Sequence, residues 1–441
     1  MSKISLEYVI SALGATQIFS KSLYENHFDM LKEGLHSSMD ILRRNIETYC
    51  KNTEPAISTL FNAYTEHNII PRLKKLDNLG ARAIYSDSGG LQIVTAGKQN
   101  TPEIKDKIYR IQAASDYAMC FDEIPLEKTT TVRTINERSN IGNKIFDQSR
   151  HGESGVQTGK NIKKQIEVFR ELKSKTKIIM IIQGNNAQDM LHYYEQIVSN
   201  FNEEDYQYIG GMAVADTCLG NGELESIEML KGARAISQVC HPNVAHHLHI
   251  LGVGSIYRMR PILYLIKSGY LNTFNHVSYD SSSHTCTFRF GLLKLNGTCL
   301  PLGLVRTPEG ESHFNNVYEY FSDYLKPKLT VDQFFDIILL DGKTPWSGAN
   351  VKKNAEKLNE ELKVIAMLGN MFHTYFQVGN FISCLDDVLT EKRRHDSIGY
   401  LRKVKTEEDM NSWFRDLKAH VNSRRIVRKE NHATLLSMFG D

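Results

Sequence analysis

The sequence predicts an α/β chain built on a (β/α)8 barrel, a TIM barrel, with helical N-terminal and C-terminal additions. Three observations lead there. Short apolar runs recur between residues 82 and 281. Segments long enough for crossover helices separate them. Each run carries a polar residue or a glycine at its C-terminal edge. A barrel gathers all its C-terminal strand ends on one face, whereas a doubly wound sheet gathers them less completely.

Taken in order, residues 1–80 read as a helical region packing on the barrel. "LYENHFDMLKEGLHSSMDILRRNI" spaces its apolar residues at helical intervals, and Pro71 interrupts the next segment. The strand runs are "RAIYSD" (82–87), "YAMCFDE" (117–123), "KIIMIIQG" (177–184), "YQYIGGMAV" (206–214), "HHLHILGVG" (246–254) and "NHVSYDS" (275–281). They are apolar on both faces, as buried parallel strands are. Helices are predicted over 161–173, 187–201 and 227–239. The barrel is assigned to 81–300 and a C-terminal helical region to 301–441. Within that region 355–389 reads as long helices, and 392–429 is rich in Lys and Arg around Trp413 and Phe414.

The chain has 441 residues and a formal net charge of +2, so any nucleic-acid surface must be a local patch. The seven cysteines are scattered without a CxxC pair, which fits a reduced cytoplasmic protein. No apolar stretch reaches the roughly 18 residues of a membrane span. The N-terminus lacks the apolar region of a secretory signal.

The strand ends carry Asp87-Ser88, Asp122-Glu123, Gln183-Gly184, Gly210-Gly211, Gly252 with Gly254, and Asp280-Ser281. One strand-end aspartate alone would be read as a helix cap. Three of them, Asp87, Asp122 and Asp280, beside glycines and a glutamine, suggest a site instead.

These stretches resemble a known family. "DSGGLQ" (87–92) is similar to the DSGGFQ motif of the guanine transglycosylases, the queuine/archaeosine tRNA-ribosyltransferase family. "FDE" (121–123) and "QG" (183–184) match its FDE and QG. "IGGMAVAD" (209–216) resembles GGLAVGE, "LGVGS" (251–255) resembles MGVG, and "YDSSSHTCTFRFG" (279–291) resembles FDCVLPTRxxRxG. The resemblance implies a TIM barrel that exchanges a guanine in a polynucleotide for a free 7-deazaguanine. It implies Asp280 as the nucleophile at C1′ and Asp87 as general acid and base. Asp122 would accept from N1–H and the exocyclic amine of the base. Gln183 and the backbone N–H of Gly211 would donate to O6. Ser88 would add a polar contact, Gly210 would let the backbone approach the ring, and Met212 and Leu251 would form apolar faces of the slot. A carboxylate nucleophile suits the oxocarbenium-like transition state.

The chain departs from the tRNA-acting enzymes in two respects. They carry a CxCxxC cluster and a histidine that bind a structural zinc. Here Cys299 and Cys384 are the only cysteines beyond Cys286, and Gly369 stands where the histidine belongs. No metal and no organic cofactor are therefore expected. The stretch "CHPNVAHHLH" (240–249) lacks zinc-ligand spacing, although His247 and His249 would share a strand face; His249 is placed near the base pocket by resemblance. In addition, Thr285-Cys286 replaces the family's Thr-Arg, leaving Arg289 and Gly291. Both departures resemble a zinc-free branch, found in phages and bacterial genomic islands, that inserts preQ0-type bases into DNA.

The expected partners are DNA, with tRNA as the alternative, and a free 7-deazaguanine base; a homodimer stays open. A phage-encoded copy would work in the host cytoplasm. Arg289, Arg393, Arg394, Arg402, Lys403, Arg424, Arg425 and Arg428 are the candidate phosphate contacts. Two other readings remain: a tRNA enzyme that has lost its zinc, and a non-catalytic nucleic-acid-binding paralogue.

Overall fold

A computed structural model describes residues 4–11, 53–64, 82–90, 100–125, 148–184, 186–215, 223–253, most of 262–281, 292–295, 298–301, 404 and 406–419. Eight strands form its centre: β1 (Ile4–Ser11), β2 (Thr53–Asn62), β3 (Ile84–Asp87), β4 (Tyr117–Met119), β5 (Lys177–Ile182), β6 (Ile209–Ala215), β7 (His247–Leu251) and β8 (His276–Ser281). All pair in parallel and in chain order, and β8 pairs back onto β1 to close a TIM-like α/β barrel. Beyond the barrel, β9 (Leu292–Leu295) and β10 (Thr298–Pro301) make a two-stranded antiparallel sheet.

The six predicted runs are β3 to β8. In β5, "KIIMII", every residue after Lys177 is buried, because helices cover one face and the barrel interior the other. The crossovers carry α1 (Pro102–Gln112), α2 (His151–Glu171), α3 (Ala187–Val198), α4 (Glu223–Ser237) and the short α5 (Pro242–Ala245). Local chemistry sets their starts. Thr101 caps α1, its side chain accepting from the Ile104 N–H, with Pro102 in the first turn. Asn186 caps α3 by accepting from the N–H groups of Gln188 and Asp189. Helices α2 and α3 cross closely through glycine: a Cβ on Gly159 would lie 2.3 Å from the Ile197 carbonyl oxygen.

The predicted helical N-terminal region needs correction. β1 and β2 lie inside residues 1–80 and are barrel strands, so the barrel begins at Ile4 rather than at 81. Polar interior residues hid them. Glu7 is fully buried in β1 and Ser58 in β2, and Pro55 sits within β2, where it breaks a strand-like reading. The stretch 20–50 lies outside the described residues.

The C-terminal region is described only at 404 and 406–419. Residues 407–419 are helical and pack on the barrel's outer helices. Met410, Trp413 and Leu417 are buried, and the Trp413 ring lies 5.3 Å from that of Tyr264. Glu407 accepts from the Tyr270 hydroxyl at 3.0 Å and pairs with Arg234 Nε at 3.2 Å. Trp413, read from sequence as part of a basic stretch, is therefore a core residue. The helices predicted over 355–389 lie outside the described residues. Among the described residues, no helix is long and apolar enough to cross a membrane.

Candidate active site

The C-terminal ends of β3, β4, β5, β7 and β8 bring together Asp87, Asp122, Gln183, Gly252 and Asp280. Asp87 is the last residue of β3, and the register sets Asn62 of β2 beside it. Asn62 Nδ2 donates to Asp87 Oδ2 at 3.1 Å. Burial raises the Asp87 carboxyl to about 6; the Gly89 and Ser88 N–H groups pull it back, and the Asp280 charge pushes it up again. The loop needs its first glycine more than its second. Gly89 has φ +73°, and a Cβ there would lie 2.5 Å from Tyr64 Cβ. At Gly90 a Cβ would meet nothing closer than 3.7 Å. Ser88 is buried, and its hydroxyl accepts from the Gly90 N–H at 3.4 Å.

Asp122 lies just past β4 and is 8% exposed. Gln183, just past β5, donates from Nε2 to Asp122 Oδ2 at 2.7 Å. Burial pushes the Asp122 carboxyl up to about 7; the Gln183 bond opposes this, while the charges of Asp87 and Glu123 add to it. Helix α2 braces both residues from behind. Asn161 Nδ2 donates to the Phe121 carbonyl at 2.9 Å, and the His151 Nε2 lies 3.0 Å from the Gln183 carbonyl.

Asp280 sits near the end of β8 and is 9% exposed. The Gly252 N–H donates to its Oδ1 at 2.9 Å, and His249 Nε2 lies 3.5 Å from the same oxygen. Leu251 is half-buried at the end of β7, next to Gly252.

Three predicted contacts sit elsewhere. Gly210 and Gly211 open β6 rather than close it, so they lie toward the opposite end of the strand from the carboxylates. Close strand approach explains them. A Cβ on Gly211 would lie 2.4 Å from the His247 carbonyl oxygen, and one on Gly210 would lie 2.6 Å from Lys177 Cβ. Met212 is fully buried and pairs with Met180 and Leu248. Its neighbour Ala213 pairs with the inward-facing His249, so Met212 faces the helices. Arg289, Arg393, Arg394, Arg402, Lys403, Arg424, Arg425 and Arg428 lie outside the described residues, as do Cys384, Gly369 and Cys286.

The sequence reading missed an interior column of polar side chains beneath Asp280. The Tyr85 hydroxyl on β3 donates at 2.6 Å to Glu7 Oε2 on β1, which it can reach only through the barrel interior. Ser58 also donates to Glu7, and His276 Nε2 lies 2.6 Å from it. Burial acts upward on Glu7, but His276, Ser58 and Tyr85 together hold it below the usual carboxylate range. The signal was present in the strands: His247 and His249, and His276, Ser278 and Asp280, alternate at period two in runs expected to be apolar. Among the described residues no His, Cys, Asp or Glu cluster is arranged to hold a metal ion.

The site thus offers three carboxyls in different settings. Asp280 is braced by a backbone donor, Asp87 lies where burial raises it to about 6, and Asp122 is paired with the Gln183 amide. No model of a known protein family and no curated protein matches the chain.

Proposed function

We propose that this chain is a base-exchange pentosyltransferase that replaces guanine in DNA with a preQ0-type 7-deazaguanine, through a covalent aspartyl–nucleic acid intermediate. The observation that carries the reading is the meeting of Asp280, Asp87, Asp122 and Gln183 at one barrel mouth, with the Asp87 carboxyl raised to about 6. Asp280 attacks C1′ and forms an ester while the bond from C1′ to the base breaks. Asp87 gives its proton to the leaving guanine; a carboxyl near 6 suits that task. In the second half the incoming base loses a proton to Asp87, attacks C1′ and releases Asp280. Asp122, as the carboxylate, accepts from N1–H and the exocyclic amine, and Gln183 donates to O6. Ser88 and Leu251 border the same mouth. The resembling motifs, together with the missing cysteine cluster, favour DNA as acceptor.

The test is an exchange assay with the full chain, labelled guanine or preQ0, and duplex DNA and bulk tRNA as parallel acceptors. Label is expected in DNA, and Asp280→Asn is expected to bind DNA but exchange nothing. Label in tRNA alone would overturn the DNA assignment. Exchange by Asp280→Asn near the wild-type rate would overturn the nucleophile.

A further inference from the structure

The column of buried polar groups that ends at Asp280 has a direction. His249 Nδ1 lies 2.7 Å from Ser278 Oγ, and the same oxygen lies 2.6 Å from His247 Nε2. All three side chains are fully buried. The His247 ring stacks on that of His276, centroids 4.0 Å apart, and His276 meets Glu7. A serine hydroxyl has one hydrogen and two lone pairs, so it donates to one partner and can accept from two; besides the histidines its partner is the Tyr85 hydroxyl, whose own hydrogen goes to Glu7.

Three arrangements satisfy it. In the first, His247 Nε2–H donates to Ser278, and Ser278 donates to His249 Nδ1. The His249 proton then sits on Nε2, facing Asp280 Oδ1. In the second, every bond reverses. His249 then turns a bare nitrogen toward a carboxylate, and the His247 proton moves to Nδ1, which has no hydrogen-bond partner among the described residues. A buried donor without an acceptor is costly, and two lone-pair acceptors facing each other repel. In the third, Ser278 accepts from both histidines and donates to the Tyr85 oxygen, and His249 Nε2 is again bare toward the carboxylate; the Asp280 end therefore selects the first arrangement. Burial and the neighbouring His276 hold His247 well below the usual histidine range, so it carries a single proton to place.

We infer that His249 is a positioning residue for the nucleophile: with the Gly252 N–H it ties down Oδ1 of Asp280 and leaves Oδ2 to attack, its tautomer held by Ser278 and His247. The 3.5 Å separation is long for a hydrogen bond, and sites of this kind tighten when the substrate is bound. The assignment of a task to Oδ2 rests on the transglycosylase reading; the tautomer does not.

Two measurements decide it. Histidine-selective 15N NMR of the full chain, with His249 assigned through His249→Phe or Ser278→Ala, should show a proton on Nε2. A bare Nε2 would overturn the inference whatever reaction the protein performs. In the exchange assay, His249→Phe should lower kcat about 100-fold with KM for the base little changed. His249→Gln, which keeps a donor where Nε2 stood, should recover most of that loss. Ser278→Ala should cost kcat about 10-fold, since His249 loses its lock without losing its ring. His249→Phe or Ser278→Ala exchanging within twofold of wild type would show that the histidine only fills the barrel. No exchange by the wild type with either acceptor would sink the proposed function instead, and the NMR result would still stand.

Discussion

A carboxyl buried at a barrel mouth costs stability when it ionises, and Asp122 is the clearest case. Folded, it holds its proton up to about pH 7; unfolded, it releases it near 3.8. Between those values the folded state binds more protons, so this group's contribution to stability falls as pH rises through the window. Asp122→Asn keeps an oxygen for Gln183 and removes the charge. Thermal melts should show the variant more stable at pH 8, on the order of 4 kcal/mol, with the gap closing as pH falls from 7 toward 4. Equal melting at pH 8 would mean the site solvates Asp122 after all. The same change should weaken base binding, because the amide presents one acceptor and two donors where the carboxylate presented two acceptors. Asp87 gives a kinetic counterpart. If it must carry a proton to release guanine, single-turnover release should slow as pH climbs past about 6. A flat profile from pH 5 to 8 would remove Asp87 from that role.

At the scale of elements, glycine positions decide which contacts tolerate a side chain. Gly159 lies where α2 meets α3, its hypothetical Cβ 2.3 Å from a backbone oxygen. Gly159→Ala should destabilise the fold by about 2–4 kcal/mol in denaturant titration, since backbone cannot step aside. Gly152→Ala, in the first turn of the same helix, should be near neutral, its nearest neighbour being His192 Nε2 at 3.5 Å. Similar losses at both positions would mean helix propensity, not the crossing, sets the cost. The strands β3 to β8 were legible because each is a short apolar run with a polar edge. β1 and β2 were not, because Glu7, Ser58 and Pro55 give them the texture of a polar segment. The glycine pair in β6 misled for a related reason: a run's composition does not say at which residue the strand starts.

For the whole molecule, closure is the decisive fact. β1 pairs with β8 across most of the chain's length and completes the interior that Glu7 occupies. Glu7→Ala should cost about 3–5 kcal/mol in equilibrium unfolding, because Tyr85, Ser58 and His276 would be left facing one another without their acceptor. A loss under about 1 kcal/mol would mean water enters and replaces the carboxylate. Sequence by itself determined the α/β class, six of the eight barrel strands and the three carboxylates at strand ends. Those features are local: apolar runs, their spacing and the residue at each edge. Only the tertiary structure decided that the barrel starts at Ile4, that Met212 faces away from the mouth, and that His249, Ser278 and His247 form one hydrogen-bonded line under Asp280. Those depend on register and closure, which bring residues far apart in sequence to one level of the barrel interior and which no single stretch of sequence encodes.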